Sequence, residues 1–482
     1  MAAVCLARLG VSVTVVDGKA GPTRESRALA LQARSMEIYS QLGLVGRVLA
    51  ESDHAPQIIP GYRNRTFGSV SFARFGRTLT PYPGIYVLEQ SKNERILCEA
   101  YLALDGDMQW GHELTDLRVD EGQDYPVEAT LQSPTGIATI RAKWCIGADG
   151  ASSSIRELMN ISFEGSTNPL RFYVADALDA QGVVDGGVNM RVSRDDFVLT
   201  FPMGSAGHHR ILGIVDEGSD DDLEQVVRTR LLAEFDIHYG RSNWFTTYRV
   251  HHRLAKRFRV DRVFLVGDAA HVHSPVGAQG MNTGLQDAHN LACKIADVIK
   301  GRTNVAVLDR YEAERRPVAR RLVSTTDAAF ARITSSSRLA RFARDRAVPL
   351  VAPLAVRIVP RLIGTERVFG YLAQLRIHYR MPNSARARRG RDRIVGRRLP
   401  WSGENFTALE SMTWQLHGYG VEQAVVTAAA GTLGVEAHSF GRDRHKRLRK
   451  TVLYLVRPDG FVAAAAPAHD AIRQLRDQLP ET

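Results

Sequence analysis

Apolar residues along this chain recur with two different periods, and the two meet between positions 262 and 299. Residues 262–266 form a short apolar run with two valines, the pattern of a buried strand. A loop rich in Gly, Ser and Pro follows over 271–280. From near Asn282 onward, Leu285, Ala288, Leu291, Ala292, Ile295 and Ile299 recur on one face of a helix. Residues 1–9 read as another helix, with Val4, Cys5 and Ala7 among its packing positions and Gly10 ending it. The β-branched run 11–16 then predicts a strand closed by Asp17. A further helix opens at Leu88-Glu89-Gln90. Alternation at Leu114, Leu117 and Val119, and at Val127, Ala129 and Leu131, predicts an antiparallel meander within 110–148. Stretches 172–175, 188–192, 197–201 and 209–214 alternate as strands, and 220–239 is helical in pattern. Short alternating runs in 55–85, such as 69–75, read as strands joining the same sheet. Downstream, 305–342 is helical, and 346–378, with Pro349, Pro353 and Pro360, reads as a linker with short helices. Strands are expected at 423–429 and 451–456, a hairpin at 457–462 and a closing helix at 471–479.

These elements predict an α/β protein. Segments 1–165 and 255–345 form one parallel-sheet domain. Segment 166–254 is an inserted antiparallel-sheet domain that also takes in 55–85, 346–395 is a linker, and 396–482 is a third unit. A length of 482 residues fits two to four domains, and 44% hydrophobic with 24% charged residues is a globular balance. No apolar run approaches a membrane span, and Arg8 interrupts the first residues where a secretory signal would need an unbroken apolar core. Four widely spaced cysteines without a C-x-x-C give no disulfide framework and no metal site, as expected in a reducing cytoplasm. The net charge of +11 concentrates at 376–398 and 442–450. Those runs lack interleaved aromatic residues and match no nucleic-acid module, so they read as solvated faces. A basic protein favours anionic nucleotides.

The chemistry starts from strand ends. Helix, glycine, β-branched strand and terminal acid form the second half of a dinucleotide-binding unit, in which the acid, here Asp17, takes the ribose hydroxyls. The first strand of such a unit and its G-x-G-x-x-G turn would lie ahead of Met1, so the sequence is expected to begin inside the unit's first helix. Asp268 closes the 262–266 strand just before the glycine-containing loop, the place where open α/β sheets bind ligands. The following helix N-terminus suits an electron-rich or anionic group.

The segment GDAAHVHSPVGAQGMNTGLQDAHNLACKIA, from Gly267 to Ala296, resembles the second flavin-contacting motif of the FAD-dependent aromatic hydroxylases, the single-component flavoprotein monooxygenases. The resemblance implies a Rossmann-like FAD-binding domain, with Asp268 on the ribityl–ribose part of FAD. Pro275, Gly277, Gly280, Met281 and Asn282 would lie against the isoalloxazine ring. It further implies Arg27, or else Arg24, near the pyrophosphate, Gln90 on the flavin side and a backbone contact from Leu114 to adenine. Asp149 and Arg156 fall in an Asp-Gly motif serving FAD and NAD(P)H. Tyr311-Glu312-Ala313-Glu314-Arg315-Arg316-Pro317 resembles a Tyr-x-x-Glu-Arg-x-Pro brace. LYLVRPDGFVA, ending at Ala463, resembles the thioredoxin-like C-terminal domain of phenol- and polyketide-hydroxylating members. The implied reaction is NAD(P)H- and O₂-dependent hydroxylation of a small aromatic, phenolic or polyketide substrate through a flavin hydroperoxide. No catalytic base is identified, and His271 and His273 are read as structural. Phe197, Phe201, Trp244, Phe245 and Tyr248 are the candidate pocket aromatics. The resemblance leaves room for a homodimer. The competing reading is a flavin-free relative acting as a binding protein, because the G-x-G-x-x-G segment is absent.

Overall fold

In the chain's first turn, helix Ala2–Arg8 ends because Gly10 adopts a left-handed conformation (φ +69°). Its N–H reaches the Ala7 carbonyl at 2.8 Å, and the Val11 N–H reaches Leu6 at 2.9 Å. These bonds satisfy the last carbonyls of the helix and turn the chain into strand Thr14–Asp17. The structure is a computed structural model. It describes all residues except 24–27, 216–221, 275–276, 336, 364, 382–393, 477 and 480–482. Strand Thr14–Asp17 pairs in parallel with Asp107–Trp110, and Cys145–Gly147 pairs in parallel with Val263–Leu265. Among the described residues these are two separate sheets. One apolar core serves both: Val4, Cys5, Phe264, Leu265, Leu291 and Ile295 are all buried in it, as the first helix packs on helix Gly280–Ile299.

Among the described residues the largest sheet has nine strands, with Phe163–Leu178 paired between His209–Val215 and Arg241–Ala255. Strand Gln57–Tyr62 joins it in parallel with Val188–Val192. Side chains alternate between its faces. One face buries Tyr173, Ala175 and Ile211 under helix Leu223–Phe235. The opposite face presents Val174, Leu212 and Phe201 to Leu29, Ala30, Val87 and the loop residue Ala278. That opposite face of the sheet therefore meets the loop that precedes helix 280–299.

Several local expectations are corrected. Residues 423–429 belong to helix Gln423–Leu433, not to a strand. Its buried positions Val426, Ala429, Ala430 and Leu433 follow helical spacing, and Gly434 (φ +68°) closes it, so spacing overrode the β-branched composition. The helix connects parallel strands Gln415–Tyr419 and Glu436–Phe440. Strands Val452–Val456 and Val462–Pro467 and helix Ala471–Arg476 complete a βαβ–ββα unit. The stretch with Pro349, Pro353 and Pro360 contains a 16-residue helix, Val348–Ile363. Pro349 lies in its first turn, where no N–H is needed, while Pro353 and Pro360 each forfeit one bond without ending it. Run 69–75 divides into strand Val70–Ser71 and helix Phe72–Gly76, because the Ser71 hydroxyl caps the helix by accepting the Arg74 N–H at 3.3 Å. The 220–239 pattern gives only helix Leu223–Phe235, stopped by Asp236 in a left-handed conformation (φ +55°).

The core also holds neutral histidines. Burial pushes His289 and His417 down to about 3, and His273 to about 4. Unfolded histidines titrate at about 6.5, so between these values the unfolded chain binds protons that the folded chain refuses. This stability is fully present above about pH 6.5 and is lost as pH falls toward 4 and then 3. Urea midpoints are expected to fall between pH 7 and pH 5, with a shallower fall in His417→Gln; equal slopes for the two proteins would refute this origin.

Candidate functional site

The site is assembled from strand ends. Because strand 145–147 runs parallel to 263–265, Asp149 and Asp268 lie just past neighbouring C-terminal ends, tied by a 2.9 Å bond from the Val266 N–H to the Gly147 carbonyl. Asp149 accepts the Ile155 N–H at 3.0 Å and so shapes the Ser-rich turn. Arg156 is buried and donates to the carbonyls of Ala269 (3.1 Å) and Ala151 (2.8 Å), with its guanidinium 4.0 Å over Phe163. It therefore braces the two strand-end turns against each other. Asp268 is solvent-exposed, yet the protein mass crowded around it raises its carboxyl above the ordinary range. That combination marks a group inside an open recess rather than in a packed core.

Asp17 accepts the Lys19 N–H at 2.9 Å. The Lys19 carbonyl takes the Gly111 N–H (2.8 Å) and the Asp17 carbonyl takes the His112 N–H (3.1 Å). The acid thus sits against the start of strand Glu113–Val119, where Leu114 packs on the core. Gln90 opens helix Gln90–Leu102, and its N–H bonds the Ala28 carbonyl at 2.9 Å. Arg24, Arg27 and Pro275 lie outside the described residues.

The loop entering helix 280–299 turns at Gly277 (φ +88°) and Ala278 (φ +50°). Gln32, a residue without a role in the sequence reading, holds it by donating to the carbonyls of Gly277 (3.0 Å) and Ala278 (3.3 Å). Asn282 is fully buried and spends its side chain on the protein. Its oxygen accepts from the Gln32 N–H (2.8 Å) and the Ser35 hydroxyl (2.7 Å), and its amide donates to Ala30 (2.8 Å) and Ala278 (2.9 Å). The Asn282 side chain thus fixes the loop against the segment around Gln32. What the segment offers outward are the first-turn N–H groups of Gly280, Met281 and Asn282, which have no acceptor inside the helix. A Cβ on Gly280 would meet the His273 ring at 3.4 Å. The sulfur of Met281 accepts from Asn93 at 3.7 Å.

Behind this loop lies a buried ion network. Asp287 accepts from His271 (2.6 Å), Arg315 (2.6 Å) and the Gly267 N–H (3.3 Å). Arg315 also donates to the Tyr379 hydroxyl (2.9 Å) and the Thr283 carbonyl (3.2 Å). Burial alone would raise the Asp287 carboxyl, but Arg315 and His271 hold it below its ordinary range. Tyr311 bonds the Leu265 carbonyl at 2.7 Å, so the Tyr-x-x-Glu-Arg-x-Pro segment buttresses the strand as well as the loop. A second network carries the C-terminal unit. Glu314 pairs with Arg457 (2.7 Å) and Lys294 (2.9 Å), and Arg457 pairs with Asp459 (2.7 Å). The Asp459 and Pro458 carbonyls accept from Arg34 (2.7 Å) and Gln41 (2.6 Å).

The candidate aromatics separate by strand parity. Phe201, Trp244 and Tyr248 belong to the cluster that includes Ala278. Phe197 lies further along the same face with Phe172. Phe245 is on the opposite face, where it stacks on Tyr173, and so leaves the set of pocket candidates.

The family profile described as FAD binding domain matches residues 1–326. The chain belongs to the FAD-dependent aromatic hydroxylase family. This hydroxylase-family chain is 33% identical to the 6-methylpretetramide 4-monooxygenase of Streptomyces rimosus over 78% of its length and 67% of that protein's. It is 30% identical to a rifampicin monooxygenase of Rhodococcus hoagii over 98% of its length and 93% of that protein's. Among solved structures it is similar to the anhydrotetracycline hydroxylase OxyS of Streptomyces rimosus, with 26% identity, a TM-score of 0.77 and coverage of 99% of this chain and 95% of that one. No helix among the described residues is long and apolar enough to cross a membrane, and no group of His, Cys, Asp or Glu among them has a metal-binding arrangement.

Proposed function

We propose that this chain is a cytoplasmic monooxygenase that hydroxylates a phenolic or polyketide substrate with FAD bound and with NAD(P)H and O₂ as co-substrates. The balance is ArH + NAD(P)H + H⁺ + O₂ → ArOH + NAD(P)⁺ + H₂O. The observation that carries this reading is the loop 277–282, held open-handed toward the sheet by Gln32 and Asn282, with unbonded helix N–H groups beside a recessed Asp268. These residues fit FAD: a carboxylate for ribose hydroxyls, a glycine turn permitting close approach, and a helix N-terminus for the electron-rich edge of the ring. Asp268, the Gly277–Met281 backbone, Gln90, Asp17 and the strand at Leu114 would hold it, with Asp149 at the neighbouring strand end. Pro275 and Arg27 keep only the roles implied by resemblance.

When bound, FAD supplies the transfer of reducing equivalents from NAD(P)H to O₂ and of one oxygen to the ring. The chain's own contribution is orientation and dryness. The sheet face of Val174, Leu212 and Phe201 packs against Ala278 and closes one side of the site with apolar groups. His273 is held neutral by burial and donates its Nδ1–H to the Ser274 carbonyl at 2.8 Å, so it serves the loop rather than proton transfer. The flavin-free reading loses support from the family match over residues 1–326.

Purified protein is expected to show a flavin band at about 450 nm, to oxidise NAD(P)H faster with a phenol present, and to yield product heavier by one oxygen atom. Protein that binds FAD yet gives no oxygenated product from any phenol or polyketide would defeat the reading. Asp268→Ala is expected to weaken FAD by roughly 10- to 150-fold, the equivalent of about 1.5–3 kcal/mol for lost charge-assisted hydrogen bonds, with the fold retained. An unchanged FAD titration would remove Asp268 from the cofactor site.

A further inference from the structure

From Arg338 to Ile363 the chain is helical without a break: helix Arg338–Phe342, a wider π turn over Ala343–Ala347, then helix Val348–Ile363. The two sides of this run reverse the usual polarity of a protein surface. Its polar groups are turned inward. Arg344 is buried and donates to the carbonyls of Arg194 (2.8 Å), Arg332 (3.2 Å) and Ser335 (2.6 Å). Asp345 accepts the Tyr62 hydroxyl at 2.7 Å, and Arg341 pairs with Asp195 at 2.6 Å. The apolar groups are turned outward. Leu339 is 78% exposed, Phe342 65%, Leu350 79% and Leu354 60%, with Val351 beside them at 60%. Leu339, Phe342, Arg346, Leu350 and Leu354 follow one another at steps of three or four, which sets them along one side of the helical run. Arg346, also exposed, is the one polar side chain in that row. Residues 348–356, VPLVAPLAV, contain no polar side chain. A helix apolar on every side is normally enclosed. This one packs on strand Gln57–Tyr62 and helix Thr365–Leu372 and leaves its other side to solvent. A row of large exposed apolar side chains about four turns long marks a surface that meets another apolar phase.

We propose that this row is a membrane-surface anchor, which lies in the headgroup region of an anionic bilayer with Leu339, Phe342, Leu350 and Leu354 dipped among the acyl chains. The charge of the segment selects this occupant. Residues 332–372 carry eight arginines and two acids. Both acids are engaged within the chain, Asp345 by Tyr62 and Glu366 by the Thr78 hydroxyl at 2.6 Å. Arg338 and Arg346 are exposed beside and within the apolar row. An apolar stripe with arginines at its border suits acyl chains below and phosphate headgroups above. A second copy of the chain suits it less, because two-fold pairing would set Arg338 and Arg346 of one copy against the same row of the other. No helix among the described residues is long and apolar enough to cross a bilayer, so the row lies on the surface and does not span it. The cytoplasmic leaflet carries anionic headgroups, so a cytoplasmic enzyme meets the surface that this row requires.

The test is flotation of the full chain, with FAD added, on vesicles of phosphatidylcholine alone or mixed equally with phosphatidylglycerol, with sedimentation velocity run in parallel. Mixed vesicles should capture the protein at least about tenfold more strongly than phosphatidylcholine alone, and raised salt should remove that difference. Leu350→Gln combined with Leu354→Gln should weaken capture by roughly 10- to 100-fold. Both side chains face solvent, so the melting temperature and FAD content of this variant should match wild type. Arg338→Gln combined with Arg346→Gln should weaken capture by mixed vesicles by roughly tenfold and leave phosphatidylcholine binding unchanged. No capture of wild type, equal capture by the two vesicles, or a leucine variant that floats like wild type would each overturn the anchor. A concentration-dependent dimer that the leucine variant dissolves, without vesicle capture, would also overturn it and give this face to a second copy. Vesicle capture reads the anchor alone, since it does not require oxygenated product.

Discussion

Asp287→Ala is expected to destabilise the protein by about 3–5 kcal/mol, the cost of leaving a buried cation without its partner. Asp287 and Arg315 have fully buried side chains and meet at 2.6 Å, and the same carboxylate holds His271 and the Gly267 N–H. Its removal strands the Arg315 guanidinium in the core and releases the turn that carries Asp268. A loss of that size is a large part of a typical stability of about 5–15 kcal/mol. FAD affinity should fall together with the denaturant midpoint, since one network supports both. Asp287→Asn keeps the shape and one acceptor and should lie between the variant and wild type. A midpoint shift corresponding to less than about 1 kcal/mol would mean that the pair is far better solvated than its burial implies.

Glu314→Ala is expected to be comparably severe, at about 3–5 kcal/mol, with a different signature. Glu314 receives Arg457 and Lys294 within 2.9 Å and Arg310 at 3.3 Å, so its loss leaves three cations around Asp459 alone. Burial lowers Lys294 to about 8 even with Glu314 present, so without that carboxylate the lysine should shed its proton near neutral pH. The hairpin turn at Pro458-Asp459 is docked on Arg34 and Gln41 of the first domain. The variant should therefore loosen the C-terminal unit first, and limited proteolysis should cut within 396–482 before the rest. Simultaneous loss of both regions at wild-type rate of cleavage would show that the network does not hold the unit.

Much of this was legible without coordinates where the deciding interactions are local. The strand 263–265, the helix from Gly280 and the alternating strands of the large sheet follow from apolar periods that each segment carries in itself. Asp17, Asp149 and Asp268 were readable as strand-end acids because strand and turn signals adjoin them. Reading failed at 423–429, where seven residues of mixed composition satisfy either period and burial against the neighbouring strands selects the helix. It failed again at 348–363, where prolines were given more weight than an apolar face.

The roles of polar side chains were a different matter. Asn282 was legible as part of a motif, but the partners of its amide lie about 250 residues away, at Ala30 and Gln32. Gln32 gave no local signal, and Asp287, Glu314 and Asp459 lay in motifs that did not name their partners, since each acquires its role from a residue distant in sequence: 245 positions for Gln32, 28 for Asp287 and 143 for Glu314. The sequence by itself determined the secondary structure of the site, its family and the acids at its strand ends, because these depend on periodicity and on contiguous motifs. Only the tertiary structure decided which aromatics face the loop, which amide holds it and how the C-terminal unit is docked. Those outcomes depend on buried polar groups finding partners across the fold, where an unpaired charge costs more than any local preference can supply.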